Sequence, residues 1–91
     1  TVEINGYTGT ESVLSLPETI DGRIVSSIGE NAFRGNEILA EVTIPKSVTT
    51  LQYQSFASCK NLTNVTMESG SKLQTIEGAS FFECEKLEGF V

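Results

Sequence analysis

The stretch LQYQSFASCKNLTNVTM, residues 51–67, has two counterparts in the chain, IGENAFRGNEILAEVTI (28–44) and IEGASFFECEKLEGFV (76–91). Five columns stay in step across the three segments: an aliphatic residue, a phenylalanine, an asparagine or cysteine, a leucine and a final apolar residue. One interval separates the first and second members of every column, and a slightly longer one separates the second and third, which indicates a repeat protein. The columns are Ile28, Leu51 and Ile76; Phe33, Phe56 and Phe81; Asn36, Cys59 and Cys84; Leu39, Leu62 and Leu87; and Val42, Val65 and Phe90.

The repeat extends upstream, because SVLSLP (12–17) matches EVTIP (41–45). This interval exceeds the one between the first two segments, and we place the surplus in ETIDGRIV (18–25). An Asp-Gly pair between extended residues is typical of a two-residue hairpin turn, so the insertion predicts a small β-hairpin. The smaller surplus of the last interval lies in MESGSKL (67–73), a turn in which added length costs little.

Each unit contains short strand-like stretches and a phenylalanine-containing turn that is too short for a regular helix. No unit could bury its apolar side alone, whereas stacked units cover one another. The sequence therefore predicts a mainly β repeat solenoid, with short parallel strands and brief 3₁₀ or helical turns. We place a β-hairpin-like N-terminal capping segment at 1–11 and the solenoid at 12–91. The solenoid divides into a first repeat (12–40), a second repeat (41–62), a third repeat (63–87) and the start of a fourth (88–91).

The phenylalanine, cysteine and leucine columns, followed by V-x-I-P, resemble the BspA-type leucine-rich repeat of bacteria and protists. The resemblance covers 12–91 and is closest over 41–62, whereas Asn36 departs from it by standing in the cysteine column. It implies a curved, right-handed leucine-rich-repeat solenoid from a surface-displayed or secreted protein. It also implies an extracellular or cell-surface location and adhesion to proteins of a host or a neighbouring cell.

Cys59 and Cys84 share one column, so stacking places them side by side, with Asn36 beyond Cys59. Paired strands lie about 4.8 Å apart, and a disulfide tolerates that separation, but stacked side chains point the same way. Asparagine in this column favours a buried thiol that donates to the backbone; a disulfide is the second interpretation and catalysis the third. With no histidine in the chain, no Cys–His pair can form, and two thiols do not complete a zinc shell.

The phenylalanine column has two interpretations, an aromatic ligand pocket or an internal spine. Three rings at one repeat position favour the spine, in which burial of each ring contributes about 1.5–3 kcal/mol. Because Phe56 has a ring on both sides, its truncation should cost about 3–5 kcal/mol, enough to unfold so small a solenoid.

Composition excludes several classes of function. The chain has 91 residues, enough for one domain, and six basic against twelve acidic side chains, for a net charge of −6. This balance disfavours nucleic acid and anionic membrane surfaces, and no apolar run approaches the ~18 residues of a membrane-spanning helix. No side-chain set predicts a catalytic, metal or cofactor site. The absence of a polar capping coil after 88–91 suggests a piece of a longer array, and an open strand edge predicts end-to-end self-association.

Strand alternation predicts a surface on which binding could occur. Val42 and Ile44 are expected to face the core, so Glu41 and Thr43 face the opposite, concave side of the sheet. Residues in the same phase on the neighbouring strands complete this surface, called here the candidate face. Its members are Val13, Ser15, Glu41, Thr43, Asn64, Thr66, Gly89 and Val91.

Two functional hypotheses follow from this face. The first is a non-catalytic protein-interaction or adhesion module that binds a protein partner through the candidate face. The second is a structural spacer or stalk without a partner of its own, because the face lacks the Trp, Tyr and Arg residues that dominate interface energetics and its threonines also suit a parallel sheet. An enzyme is the least favoured class.

Overall fold

The computed structural model describes residues 1–7 and 9–90, except for the side chain of Phe90. Nine short strands are present in this part of the chain and form two main ladders. One ladder has the order β1-β4-β6-β8, with β3 attached to β4, and the other has the order β2-β5-β7-β9. The strands are β1 (Val2–Ile4), β2 (Val13–Ser15), β3 (Thr19–Ile20), β4 (Arg23–Ile28), β5 (Glu41–Ile44), β6 (Thr50–Leu51), β7 (Asn64–Met67), β8 (Thr75–Ile76) and β9 (Gly89–Phe90).

The strand register reproduces the sequence alignment of the repeats. Leu14 pairs with Val42, Val42 with Val65, and Val65 with Phe90, all in parallel ladders. The three unequal repeat intervals of the sequence are therefore the spacings of neighbouring strands. The predicted β-solenoid is confirmed, and each strand pairs with its equivalents in the adjacent repeats.

The insertion in the first repeat forms the predicted hairpin. Strands β3 and β4 pair antiparallel, with Ile20 opposite Arg23. Asp21 and Gly22 between them have φ values of 52° and 77°. Two consecutive left-handed residues match the twist of a tight hairpin, which explains the Asp-Gly pair. The hairpin extends into β4, so the insertion leaves the parallel ladder intact.

The phenylalanine-containing turns are irregular but repeat in detail, and the described residues contain no helix. Bonds such as Ala32 N–H to the Gly29 carbonyl (3.1 Å) span three residues, as in a 3₁₀ turn. Each turn is also tied to the next one. Phe33 N–H donates to the Ser55 carbonyl (2.7 Å), and Phe56 N–H donates to the Ser80 carbonyl (2.9 Å). This ladder of hydrogen bonds joins the turns as parallel strands are joined.

The core contains a stack of aromatic rings along the solenoid axis. The centroids of Phe33 and Phe56 lie 4.9 Å apart, and those of Phe56 and Phe81 lie 5.5 Å apart, with nearly parallel planes. This confirms the spine interpretation. Tyr7 extends the spine beyond Phe33, at 5.6 Å and with a tilted ring, although nothing in the repeat pattern of 12–91 predicts it.

The N-terminal segment is built differently from a hairpin-like cap. Its strand β1 pairs in parallel with β4, with Ile4 beside Ile28, so it continues the ladder as a shortened preceding coil. Ile4 is buried, and Val2 and Tyr7 pack against the same core. The antiparallel hairpin of the molecule is the one formed by β3 and β4.

Candidate functional site

The candidate face lies on the ladder β2-β5-β7-β9, which alternates between core and surface along each strand. Val42 and Val65 face inward and are 2% and 1% exposed. Glu41 and Asn64, one residue earlier in each strand, are exposed. The face therefore consists of side chains that the core does not require.

Strand register aligns these side chains in two rows. The row formed by the first residue of each strand is Val13, Glu41, Asn64 and Gly89. The other row is Ser15, Thr43 and Thr66; Val91, assigned to it from the sequence, lies outside the described residues. The structure thus brings together seven of the eight predicted residues on neighbouring strands.

The candidate face is weakly polar. Val13 is 61% exposed at one edge, and Glu41 is the one charged member. A Cβ atom at Gly89 would lie 2.5 Å from Nδ2 of Asn64, so glycine leaves room for the neighbouring amide. This arrangement presents hydroxyl, amide and carboxylate groups to a partner, without an aromatic anchor among the described members.

The two cysteines form a regular polar column inside the stack. The Cys59 thiol donates to the Phe33 carbonyl (3.1 Å), and the Cys84 thiol donates to the Phe56 carbonyl (3.0 Å). Both thiols are free. In the first repeat, Asn36 Oδ1 accepts from the N–H groups of Ile38 and Leu39. All three members of the column therefore bond to backbone, Asn36 within its own turn and the cysteines across to the preceding repeat.

Burial makes these thiols weak acids. It raises the pKa of Cys59 from its ordinary value of 9.0 to about 12, and the neighbouring Cys84 adds to the increase. Burial also raises the pKa of the Cys84 thiol, although hydrogen bonds with Cys59 oppose the increase. A reactive cysteine requires a lowered pKa. The arrangement therefore favours the structural interpretation over nucleophilic chemistry.

Residues 1–7 and 9–90 contain neither a metal-binding cluster nor a membrane-spanning helix. Within these residues, no three His, Cys, Asp or Glu side chains converge as metal ligands would. In the same part of the chain, no helix has the length and hydropathy needed to cross a bilayer.

A second surface feature was missed by the repeat analysis. A cavity of about 490 Å³ opens beside the turn of the first repeat, lined by Tyr7, Gly9 and residues 32–38. Its sequence signal is a difference in loop length. Ile4 and Leu14 are ten residues apart, whereas their paired equivalents Ile28 and Val42 are fourteen apart.

The known proteins that this chain is similar to are leucine-rich-repeat proteins. The family described as BspA type Leucine rich repeat region (6 copies) matches residues 11–91. The T. pallidum Leucine Rich Repeat protein, known from a crystal structure, is 31% identical to this chain in sequence. The two structures superpose with a TM-score of 0.90 over 98% of this chain. A leucine rich cell surface protein from Faecalibacterium prausnitzii A2-165 is 30% identical, with a TM-score of 0.86 over 96% of this chain.

A third structure, a leucine-rich repeat protein from Bacteroides capillosus ATCC 29799, is 18% identical, with a TM-score of 0.72 over 97% of this chain and 83% of its own. This likeness concerns the fold alone. The chain spans 41% of the T. pallidum protein and 25% of the F. prausnitzii protein, which is less than half of each. No curated protein sequence matches it.

Proposed function

Because this chain belongs to the BspA-type leucine-rich-repeat family, we propose that it is a non-catalytic protein-interaction module of a bacterial cell-surface or secreted protein. It adheres to a protein partner on a host or neighbouring cell through the candidate face. The observation that carries the proposal is that Glu41, Asn64 and Thr66 are exposed in register on a face whose opposite side forms the core.

The chemistry of the face suggests how it binds. Hydroxyl and amide groups offer both donors and acceptors, and an interface of this kind relies on many modest contacts. Interface hot spots are usually Trp, Tyr or Arg, and the described members include none. The partner therefore supplies the large anchoring side chains, and affinity grows with the number of repeats engaged.

Adhesion is tested with the fluorescently labelled chain, presented on multivalent beads, and mammalian epithelial cells. The variant combines Glu41→Ala, Thr43→Ala, Asn64→Ala and Thr66→Ala. A matched control changes the same kinds of exposed side chain elsewhere, by Glu85→Ala, Thr10→Ala, Gln74→Ala and Thr75→Ala. We expect both variants to fold, and only the first to lose cell binding.

Pre-treating the cells with protease should abolish binding of the unmodified chain, because the proposed partner is a protein. Equal binding by the unmodified chain and the first variant would refute the candidate face. Equal loss in both variants would show that binding depends on general surface properties.

A structural spacer is the second candidate function, favoured by the absence of an aromatic or arginine anchor from the described face. A spacer requires only a rigid stack. Its signature is that the unmodified chain binds no better than the first variant, while the two share the same resistance to unfolding.

A further inference from the structure

The cavity beside the first repeat is a notch produced by a shortened turn. From one inward-facing strand residue to the next, the N-terminal segment uses ten residues, from Ile4 to Leu14. The equivalent connection through the turn of the second repeat uses fourteen residues, from Leu51 to Val65. Four residues are therefore missing where every later repeat has a complete turn, and the space they would fill lies beside residues 32–38.

The later repeats show what normally occupies this position. Phe33 N–H donates to the Ser55 carbonyl and Gly35 N–H donates to the Ala57 carbonyl (2.8 Å). One repeat further along, Ser58 N–H donates to the Phe82 carbonyl (2.6 Å). Each turn thus supplies N–H groups, at alternate residues, to the carbonyls of the turn that follows it.

The first repeat has the equivalent carbonyls, but no described residue of the shortened turn before it donates to them. By the repeat spacing, Ala32 and Arg34 correspond to Ser55 and Ala57. No described residue donates a hydrogen bond to either carbonyl, and both residues line the notch. Two acceptors at alternate residues form a short ladder edge, which a peptide turn that presents N–H groups at alternate residues can match, as the later repeats do.

Tyr7 restricts what can enter. Its ring lies 5.6 Å from that of Phe33 and takes the place that an aromatic residue of a complete turn would fill. The volume of about 490 Å³ falls within the range of roughly 300–1,000 Å³ that is usual for ligand sites. An occupant with a small side chain next to Tyr7 fits this space, whereas one with a second ring there does not.

We propose that the notch binds a turn-forming peptide segment of a partner protein, which supplies the N–H groups missing from the shortened turn. The N–H groups of two alternate residues of the segment donate to the carbonyls of Ala32 and Arg34. A small residue of the segment packs beside Tyr7. This site uses no residue of the candidate face, so it is a separate contact.

The probe is a blocked peptide with the sequence of residues 29–36 and alanine at position 33, since this turn makes the equivalent contact with the second repeat. A control peptide is N-methylated at positions 33 and 35, whose N–H groups donate to the Ser55 and Ala57 carbonyls in the chain. Binding is followed by amide chemical shifts of the isotopically labelled chain. We expect a dissociation constant on the order of 1 mM, with shifts confined to Tyr7, Gly9 and residues 32–38.

N-methylation should weaken binding about tenfold, because it removes two hydrogen bonds. Equal binding of both peptides, shifts located elsewhere, or no shift at all would overturn the proposal. A variant with four residues inserted after Gly9 completes the turn and should no longer bind the peptide. If this variant does not fold, the comparison of the two peptides on the unmodified chain still decides.

Discussion

The second and third repeats carry similar side chains at matched positions but bury them to different extents. Leu51 is fully buried, whereas Ile76 in the same column is 47% exposed. Phe56 is fully buried between two rings, whereas Phe81 is half-buried. The difference shows that burial in this fold is set less by the residue than by the repeats on either side of it, as expected when each repeat contacts only its neighbours.

The aromatic spine gives the largest expected contrast. Phe56→Ala removes a ring packed on both faces and should lower the free energy of unfolding by about 3–5 kcal/mol. Phe81→Ala removes a half-buried ring and should cost about 1–2 kcal/mol. Urea denaturation measures both, and failure of Phe56→Ala to fold would be the extreme of the expected result. Equal costs would contradict a role for flanking repeats.

Leu51 and Ile76, in the aliphatic column, allow the same comparison of the second and third repeats without aromatic stacking. Leu51→Ala should cost about 2–5 kcal/mol, because it leaves a cavity in a filled core. Ile76→Ala should cost about 1 kcal/mol or less, because nearly half of that side chain is already in water. The same denaturation experiment separates them. A cost for Ile76→Ala that matches the cost for Leu51→Ala would mean that the exposed position is covered in solution.

The thiol column predicts a dependence of stability on alkaline pH. The pKa of the unfolded Cys59 thiol is near 9.0, whereas the pKa of the folded thiol is about 12. Stability should therefore fall as pH rises through this window, since the unfolded state releases a proton that the folded state retains. Cys59→Ala should cost about 1 kcal/mol at neutral pH.

The test is the difference in unfolding free energy between the unmodified chain and Cys59→Ala, measured from pH 8 to pH 11. The difference should fall and then change sign as pH rises, because the variant has no thiol at this position to ionise on unfolding. Cys84→Ala is the matched control, and its difference should change less because Cys84 is less buried. A Cys59 difference that stays constant over this range would exclude the linkage.

Ser55 and Ser80 occupy one column of the repeat, and here the substitution in the third repeat should cost more stability than the one in the second. These are the smallest effects that we expect. Ser80 Oγ lies within hydrogen-bonding distance of the carbonyls of Gln52 (3.1 Å) and Glu77 (2.6 Å). Ser55 Oγ is buried without a partner among the described residues, and the first repeat has Ala32 in this column. Ser80→Ala should cost about 1 kcal/mol. Ser55→Ala should be neutral or stabilising by up to about 1 kcal/mol, since it removes an unsatisfied hydroxyl.

Thermal or urea unfolding of these two variants provides the check. A larger loss of unfolding free energy for Ser55→Ala than for Ser80→Ala would contradict this prediction. It would show that Ser55 has a hydrogen bond in solution and that the cost in each repeat follows burial alone.

Much of the fold is predictable because each repeat of the sequence can be checked against the other repeats. Phe33, Phe56 and Phe81 keep the same intervals as the other columns, which predicts both the strand register and the ring stack, and the Asp-Gly pair at 21–22 specifies the hairpin turn. Tyr7 was not predictable from the columns, because its loop is four residues shorter than the others. The hydroxyl of Ser55 was not predictable either, since its hydrogen bonding depends on small differences between turns.

The candidate site is less predictable than the fold for a physical reason. Alternation along β5 and β7 determines which residues leave the core, and strand register then aligns Glu41 with Asn64. Folding places no strong demand on the chemistry of those outward side chains. A partner's identity is therefore not encoded in the pattern that specifies the stack, and it has to come from binding experiments.

Hydrogen exchange at one repeated position tests in-register stacking most directly. Gly35 N–H donates to the Ala57 carbonyl and Ser58 N–H to the Phe82 carbonyl, whereas Glu83 N–H, in the same column, donates to no described residue. The stack predicts slow exchange at Gly35 and Ser58 and exchange near the unprotected rate at Glu83. Rapid exchange at Ser58, or protection at Glu83 equal to that at Ser58, would contradict it.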